Sequence, residues 1–235
     1  MVRVKSIIVF ILTSLVFLLA TPFALLLNIF SLGKLNSWIV TNFGRFLGLF
    51  TLTLLNIKTH VSGWDNIPKE PVIFIINHSS TLDIPAILSL GLPNTRFVAK
   101  KEFRFNLAIS LIAHATGQIF IDRGNSEKAI ATLTKAYDKL RKDDLNLLVA
   151  PEGSRIHETA VGEFKKGAFK IAQDLNRPVI PIVIKGLVKL APGKKIEFNA
   201  GDVNLDIKKP ILIKDDIPLI EQIKPIREQY IKWLS

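Results

Sequence analysis

The stretch "PVIFIINHSSTLD", residues 71–83, decides how this chain reads. Residues 71–76 form an apolar run bounded by Pro and Asn, the pattern of a strand buried on both faces. A polar loop follows at once. It holds His78, one of four histidines in 235 residues, then three hydroxyl side chains and the carboxylate of Asp83. Ligand sites in open α/β sheets lie just outside the carboxyl ends of strands, where Asn77 and His78 fall.

Working outward, similar runs recur as "RFVA" (96–99), "QIFID" (118–122), "NLLVA" (146–150) and "VIPIVI" (179–184). Helical patterns alternate with them at 84–90, 103–115, 126–142 (with Ser126 as N-cap) and 164–175, and 218–234 reads as a closing helix. The alternation predicts an α/β fold with a mainly parallel central sheet and flanking helices. The stretch 195–213 predicts extra strands at one sheet edge. Three more polar clusters follow strand runs: "AKKE", "DRGN" and "PEGSR". Four such clusters can converge on one cleft.

The first 57 residues are of another kind. Ile7 to Phe30 carries no charge over 24 residues, long enough to cross a bilayer. A second apolar stretch, Leu35 to Ile57, has Arg45 in its middle, and an arginine at mid-membrane depth costs roughly 2.5–3.5 kcal/mol on insertion scales. A second full crossing is therefore disfavoured. With Pro22 inside the first segment and a turn at Ser31–Gly33, residues 1–57 are expected as a hydrophobic helical hairpin entering one leaflet. Residues 58–235 are expected to form the α/β domain. The net charge of +11 suits an anionic membrane surface or a phosphate substrate, and residues 1–60 hold five basic side chains and no acidic one.

His78 and Asp83, five positions apart, would not face each other on one regular helix. They can meet if His78 lies in the loop and Asp83 opens the helix, which Pro85 in the first turn favours. Asp83 then accepts from Nδ1 of His78 and leaves Nε2 free to take a proton. The plainer alternative is that Asp83 only caps the helix.

"NHSSTLD" fits the H-x-x-x-x-D motif of the glycerophospholipid acyltransferases. "FIDRGN" resembles that family's second block, "APEGSR" its F-P-E-G-T-R block and "VIPIVI" its last, while "FVAKKEF" and "FKKGAFKIA" are similar to segments of bacterial members. The resemblance covers roughly residues 60–190, and in order and spacing it points to the bacterial 1-acyl-glycerol-3-phosphate acyltransferases. Ala150 departs from the pattern, where an aromatic or large apolar residue is usual, and Ser154 replaces threonine but keeps the hydroxyl.

The resemblance implies transfer of an acyl group from a thioester, on acyl carrier protein or coenzyme A, to the sn-2 hydroxyl of a lipid acceptor. It implies no cofactor, no metal and no covalent acyl-enzyme, with the protein held on the cytoplasmic face of the inner membrane. His78 is then the base and Asp83 its orienter. Lys100 helps place the acyl carbonyl or the phosphate, with Lys101 as its substitute. Arg123 and Arg155 bind the phosphate, Glu152 bonds the glycerol hydroxyl or holds Arg155, and Gly153 and Ser154 line the acceptor site.

Other classes fit less well. Ser79 and Ser80 adjoin His78, but no G-x-S-x-G elbow occurs. "GEFKKGAFK" nearly matches a P-loop but has Ala168 in place of the lysine. With no cysteine and no H-E-x-x-H, zinc chemistry lacks its ligands. A non-enzymatic membrane-binding protein explains the first 57 residues but not four polar strand ends. Nucleic acid is not expected as a partner, since no aromatic-basic motif appears.

Overall fold

A computed structural model of the chain describes residues 2–122, 124–155, 161–191 and 196–235. Among these, seven strands form one sheet in the order β1-β7-β6-β2-β5-β3-β4. The strands are β1 (Ile57–Ser62), β2 (Ile73–Ile76), β3 (Thr95–Lys100), β4 (Ile119–Ile121), β5 (Asn146–Val149), β6 (Val179–Lys185) and β7 (Gly201–Ile207). Five neighbours, β6 to β4, run parallel; β7 is antiparallel to β6, and β1 runs parallel to β7.

β2 is central and fully buried. Its alternate residues feed two cores. Phe74 and Ile76 join a cluster with Leu52, Leu55, Leu82 and Ile87 on one face. Ile73 and Ile75 join Phe164, Phe169, Ile223 and Tyr230 on the other. That two-sided burial is why the stretch shows no polar alternation.

The apolar N-terminal region forms α1 (Val2–Phe30), then α2 (Asn36–Trp38), a π-helical turn (Ile39–Phe43) and α3 (Gly44–Leu54). α3 packs on α4 (Asp83–Leu90) at very short range. A Cβ on Gly48 would stand 2.5 Å from the Ser89 nitrogen and 2.6 Å from the Pro85 oxygen. Leu52 and Leu55 complete the core there, so the second arm belongs to the α/β body. α1 lies outside α3 and is tied down at both ends. The Ser6 hydroxyl accepts from the Phe198 N–H at 2.8 Å, Thr13 meets Thr51 at 3.3 Å, and the Asn28 amide donates to the Ala115 carbonyl at 3.1 Å.

Some sequence expectations need correction. Residues 58–62, to which the sequence reading assigned no strand, belong to β1, a mostly polar edge strand without the apolar run that marks the others. The helix over 126–142 is broken at Ala136 into α6 (Ser126–Lys135) and α7 (Tyr137–Lys142). Its N-cap is Asn125, not Ser126: Asn125 has extended backbone and its side-chain oxygen accepts from Lys128 N–H at 2.9 Å. The segment 103–115 divides into a 3₁₀ turn (Lys101–Phe105) and α5 (Leu107–Thr116), capped by Asn106. The remaining helices are α8 (Gly167–Asp174), α9 (Leu187–Leu190) and α10 (Leu219–Leu234).

Candidate active site

Where β2 ends, three side chains fix the loop that follows. Asn77 spans to the end of β6, its amide donating to the Ile184 carbonyl at 3.0 Å and its oxygen accepting from the Ile184 N–H at 2.8 Å. Glu152, on the turn after β5, accepts from the His78 N–H at 2.8 Å with one oxygen and from the Gly162 N–H at 2.9 Å with the other. Asp83 gathers the loop from the helix side. Its Oδ2 lies 2.8 Å from His78 Nδ1 and accepts from the Ser79 and Ser80 N–H groups at 2.8 and 2.9 Å.

His78 and Asp83 therefore meet, five residues apart, because the chain turns between them. Asp83 is not the helix cap. That position is Leu82, which offers no side-chain bond, and the N–H groups that Asp83 takes belong to the loop. With an ionised Asp83 acceptor, Nδ1 carries the proton and Nε2 presents a lone pair. Both side chains are nearly dry, at 9% and 0% exposure, so water hardly screens the pair. The second oxygen of Asp83 is buried with no hydrogen-bond partner.

Glu152 is also buried. Loss of hydration pushes its carboxyl above the ordinary 4.5, opposed by the bonds from the His78 and Gly162 N–H groups and by the nearby imidazole. The expected pairing of Glu152 with Arg155 is absent, since both Glu152 oxygens are engaged elsewhere. Arg155 instead points a terminal nitrogen at the Thr81 hydroxyl, 3.4 Å away, and its Nε is buried without a partner. Ser154 is exposed. Gly153 adopts φ +74°, and a Cβ there would lie 3.0 Å from Cε of Lys165. Ala150 is half-buried against the core.

Lys100 ends β3, two strands from β2, or about 10 Å at ordinary strand spacing. It is exposed and 3.4 Å from Glu102, while Lys101 pairs with Asp122 at 2.7 Å. Arg123 lies outside the described residues. The sequence reading placed Asn77 at a strand end without giving it a role, and gave none to Lys165 or Tyr230. Asn77, Lys165 and Tyr230 serve this region, and Tyr230 donates to the Ile75 carbonyl at 2.7 Å from the far end of the chain. "FKKGAFK" was a signal for Lys165; nothing local marks Tyr230.

A family profile described as Acyltransferase matches residues 58–185, from β1 to the end of β6. The 1-acyl-sn-glycerol-3-phosphate acyltransferase of Saccharomyces cerevisiae is 34% identical over 188 residues, covering 77% of this chain and 61% of the yeast protein. The alpha form of Homo sapiens is 28% identical over 75% of this chain and 64% of its own length. The chain thus spans less than two thirds of these curated relatives. A crystal structure of the 1-acyl-sn-glycerophosphate (LPA) acyltransferase PlsC from Thermotoga maritima superposes with a TM-score of 0.84 at 26% identity, covering 98% of this chain and 93% of that one. The matched segment begins with the first strand, contains the His78 loop and the turn that clamps it, and ends on the strand that Asn77 grips; the chain belongs to the acyltransferase family.

Proposed function

We propose that the protein transfers an acyl group from an acyl thioester to the sn-2 hydroxyl of 1-acyl-glycerol-3-phosphate, making phosphatidic acid. The observation that carries this reading is the dry His78–Asp83 pair on a loop held from three sides. Nε2 of His78 takes the acceptor hydroxyl proton as that oxygen attacks the thioester carbonyl. Asp83 holds the imidazolium that forms. The tetrahedral intermediate then expels the thiolate, and His78 returns the proton to it, so no acyl group passes through the protein.

Among the described residues Arg155 supplies a guanidinium without a carboxylate partner beside this loop, and a planar fork of donors suits a phosphate. We place the acceptor phosphate there, with Lys100, Arg123, Gly153 and Ser154 as further members of that site. Glu152 acts by holding the His78 backbone. The test is acyl transfer by the purified protein in detergent micelles. His78→Ala should fold yet lose turnover; a folded His78→Ala protein with near-normal turnover overturns the mechanism.

Membrane association is suggested by α1, which is long and apolar enough to cross a bilayer. We infer that it lies along one leaflet instead. Ser6 and Asn28 bond to the body of the protein, and the helix between them, from position 6 to position 28, spans about 33 Å. A helix fastened at both ends to a water-soluble body cannot carry either end across. Its outward side exposes Leu15, Leu19, Phe23 and Phe30, and α5 with the turn before it adds Phe105, Leu107 and Leu111. Arg3, Lys5, Lys34 and Lys58 favour the leaflet rich in anionic lipid, at the cytoplasmic face of the cell membrane. The anchoring unit is then α1 and the turn to Lys34, with α3 as its seat. Single cysteines at 3 and 62 should label from the same side of sealed vesicles; labelling from opposite sides overturns this arrangement.

A further inference from the structure

We propose that a cavity on the opposite side of the His78 loop from Arg155 receives the phosphopantetheine arm of the acyl donor; this rests on the acyl-transfer reading above. The cavity, of about 290 Å³, lies where β6 ends and is bordered by Ser79, Lys185, Val188, Lys189, Asn204 and Leu234. Ser79 belongs to the His78 loop itself, so the cavity borders the loop that carries the base. Asn77 joins the two, since it both borders the cavity and clamps the end of β6.

The charge of the lining is one-sided. It includes two lysines and no carboxylate. Among the described residues neither lysine forms a side-chain hydrogen bond or ion pair, although Lys185 is half-buried. An ammonium without a carboxylate partner is open to donate a charge-assisted hydrogen bond to a bound anion. The other lining groups are an amide, a hydroxyl and branched apolar side chains. That combination matches an arm with amide groups, a dimethyl centre and a terminal phosphate.

Sheet order supplies the second argument. β6, β2 and β5 are adjacent, with β2 in the middle. His78 follows β2, Lys185 ends β6 and Arg155 follows β5. Cationic groups therefore stand on both sides of the histidine. An acyl transfer of this kind has two phosphate-bearing partners that must approach from different directions, so that the hydroxyl of one meets the thioester of the other. With the acceptor phosphate at Arg155, the β6 side is left for the donor.

The test uses the full chain in detergent with three donors of one chain length: acyl-coenzyme A, acylated carrier protein and acyl-pantetheine, which lacks the phosphate. The variants are Lys185→Gln, Lys189→Gln and Lys185→Arg. Both glutamine variants should raise KM for the two phosphate-bearing donors about tenfold or more, leaving kcat, the acceptor KM and all kinetics with acyl-pantetheine unchanged. Lys185→Arg should restore most of the loss. An equal effect on acyl-pantetheine, a change in acceptor KM, or no effect on any donor overturns the proposal. So does a response confined to coenzyme A, which assigns the lysines to its nucleotide, or one confined to the carrier protein, which assigns them to that protein's surface. Absence of transfer by the unaltered protein from every donor overturns instead the acyl-transfer reading.

Discussion

Among the described residues two histidine–carboxylate pairs share the same separation, 2.8 Å, in two different settings. His60 and Asp202 meet across β1 and β7 at the sheet edge, with side chains 59% and 64% exposed. His78 and Asp83 meet behind β2 at 9% and 0%. In the first pair each side chain can turn to water and find equivalent bonds there, so little depends on the contact. In the second, Asp83 also holds two loop N–H groups, Glu152 holds the His78 backbone, and Asn77 anchors the loop to β6. Distance alone does not distinguish a surface contact from an oriented base. What surrounds the pair does.

The largest expected effect breaks the comparison on activity. His78→Ala should lower kcat by about 10²–10⁴, the range for loss of a general base, while His60→Ala stays within about twofold. Steady-state rates on matched, folded proteins decide it; similar losses in both would remove the distinction. Next is the loop itself. Asn77→Ala leaves the Ile184 N–H and C=O without partners in a dry place and should cost about 2–3 kcal/mol in denaturant unfolding, whereas Asp202→Asn should cost less than about 1 kcal/mol. Equal values would mean that the buried clamp contributes no more than a surface contact.

Asp83→Asn sharpens the same contrast. An amide can still accept from one or two N–H groups, but it no longer enforces a proton on Nδ1. Turnover should fall nearly as far as in His78→Ala, with an unfolding cost of about 1–3 kcal/mol. A normal pH-rate profile in Asp83→Asn would argue against the orienting role.

The smallest effect concerns Glu152 and depends on pH. Burial raises its carboxyl above 4.5 in the fold. The fold thus favours the protonated form, so the stability tied to this group is complete below the unfolded value and is lost as pH rises through the folded value. Glu152→Gln does not titrate and loses one acceptor, about 1 kcal/mol. Its deficit relative to the unaltered protein should be larger near pH 4 than near pH 7. Thermal unfolding at both pH values checks the sign, and a deficit that grows with pH reverses the assignment.

What could be read from the sequence follows from contact range. The buried strands 73–76, 146–149 and 179–185 announce themselves as unbroken apolar runs, and His78 and Asp83 lie within one short motif. Glu152 stood in a recognisable block, yet its partner is 74 positions away and is a backbone N–H, which no side-chain pattern reveals. Asn77 reaches 107 positions and Tyr230 reaches 155. β1 escaped notice because an edge strand with mostly exposed residues needs no apolar signature. The packing of the second N-terminal arm on α4 was not legible, because a helix face that fills a core and one that enters lipid share a composition; the close approach of Gly48 to Ser89 and Pro85 appears only in the fold.

In the proposed membrane arrangement, the fastening of α1 at Ser6 and Asn28 also fixes a height. A helix that crossed the bilayer would have to match its thickness, and a tethered one would let the catalytic body wander. In the proposed one-leaflet arrangement α1 does neither: it would hold the His78 loop at one level above the acyl chains, as a keel sets the draught of a hull. Bilayers of different hydrocarbon thickness should then be equivalent to this protein, since the proposed arrangement touches only one leaflet. Lateral pressure and curvature in that leaflet become the variables that matter, because they decide how readily lipids part to admit the rod.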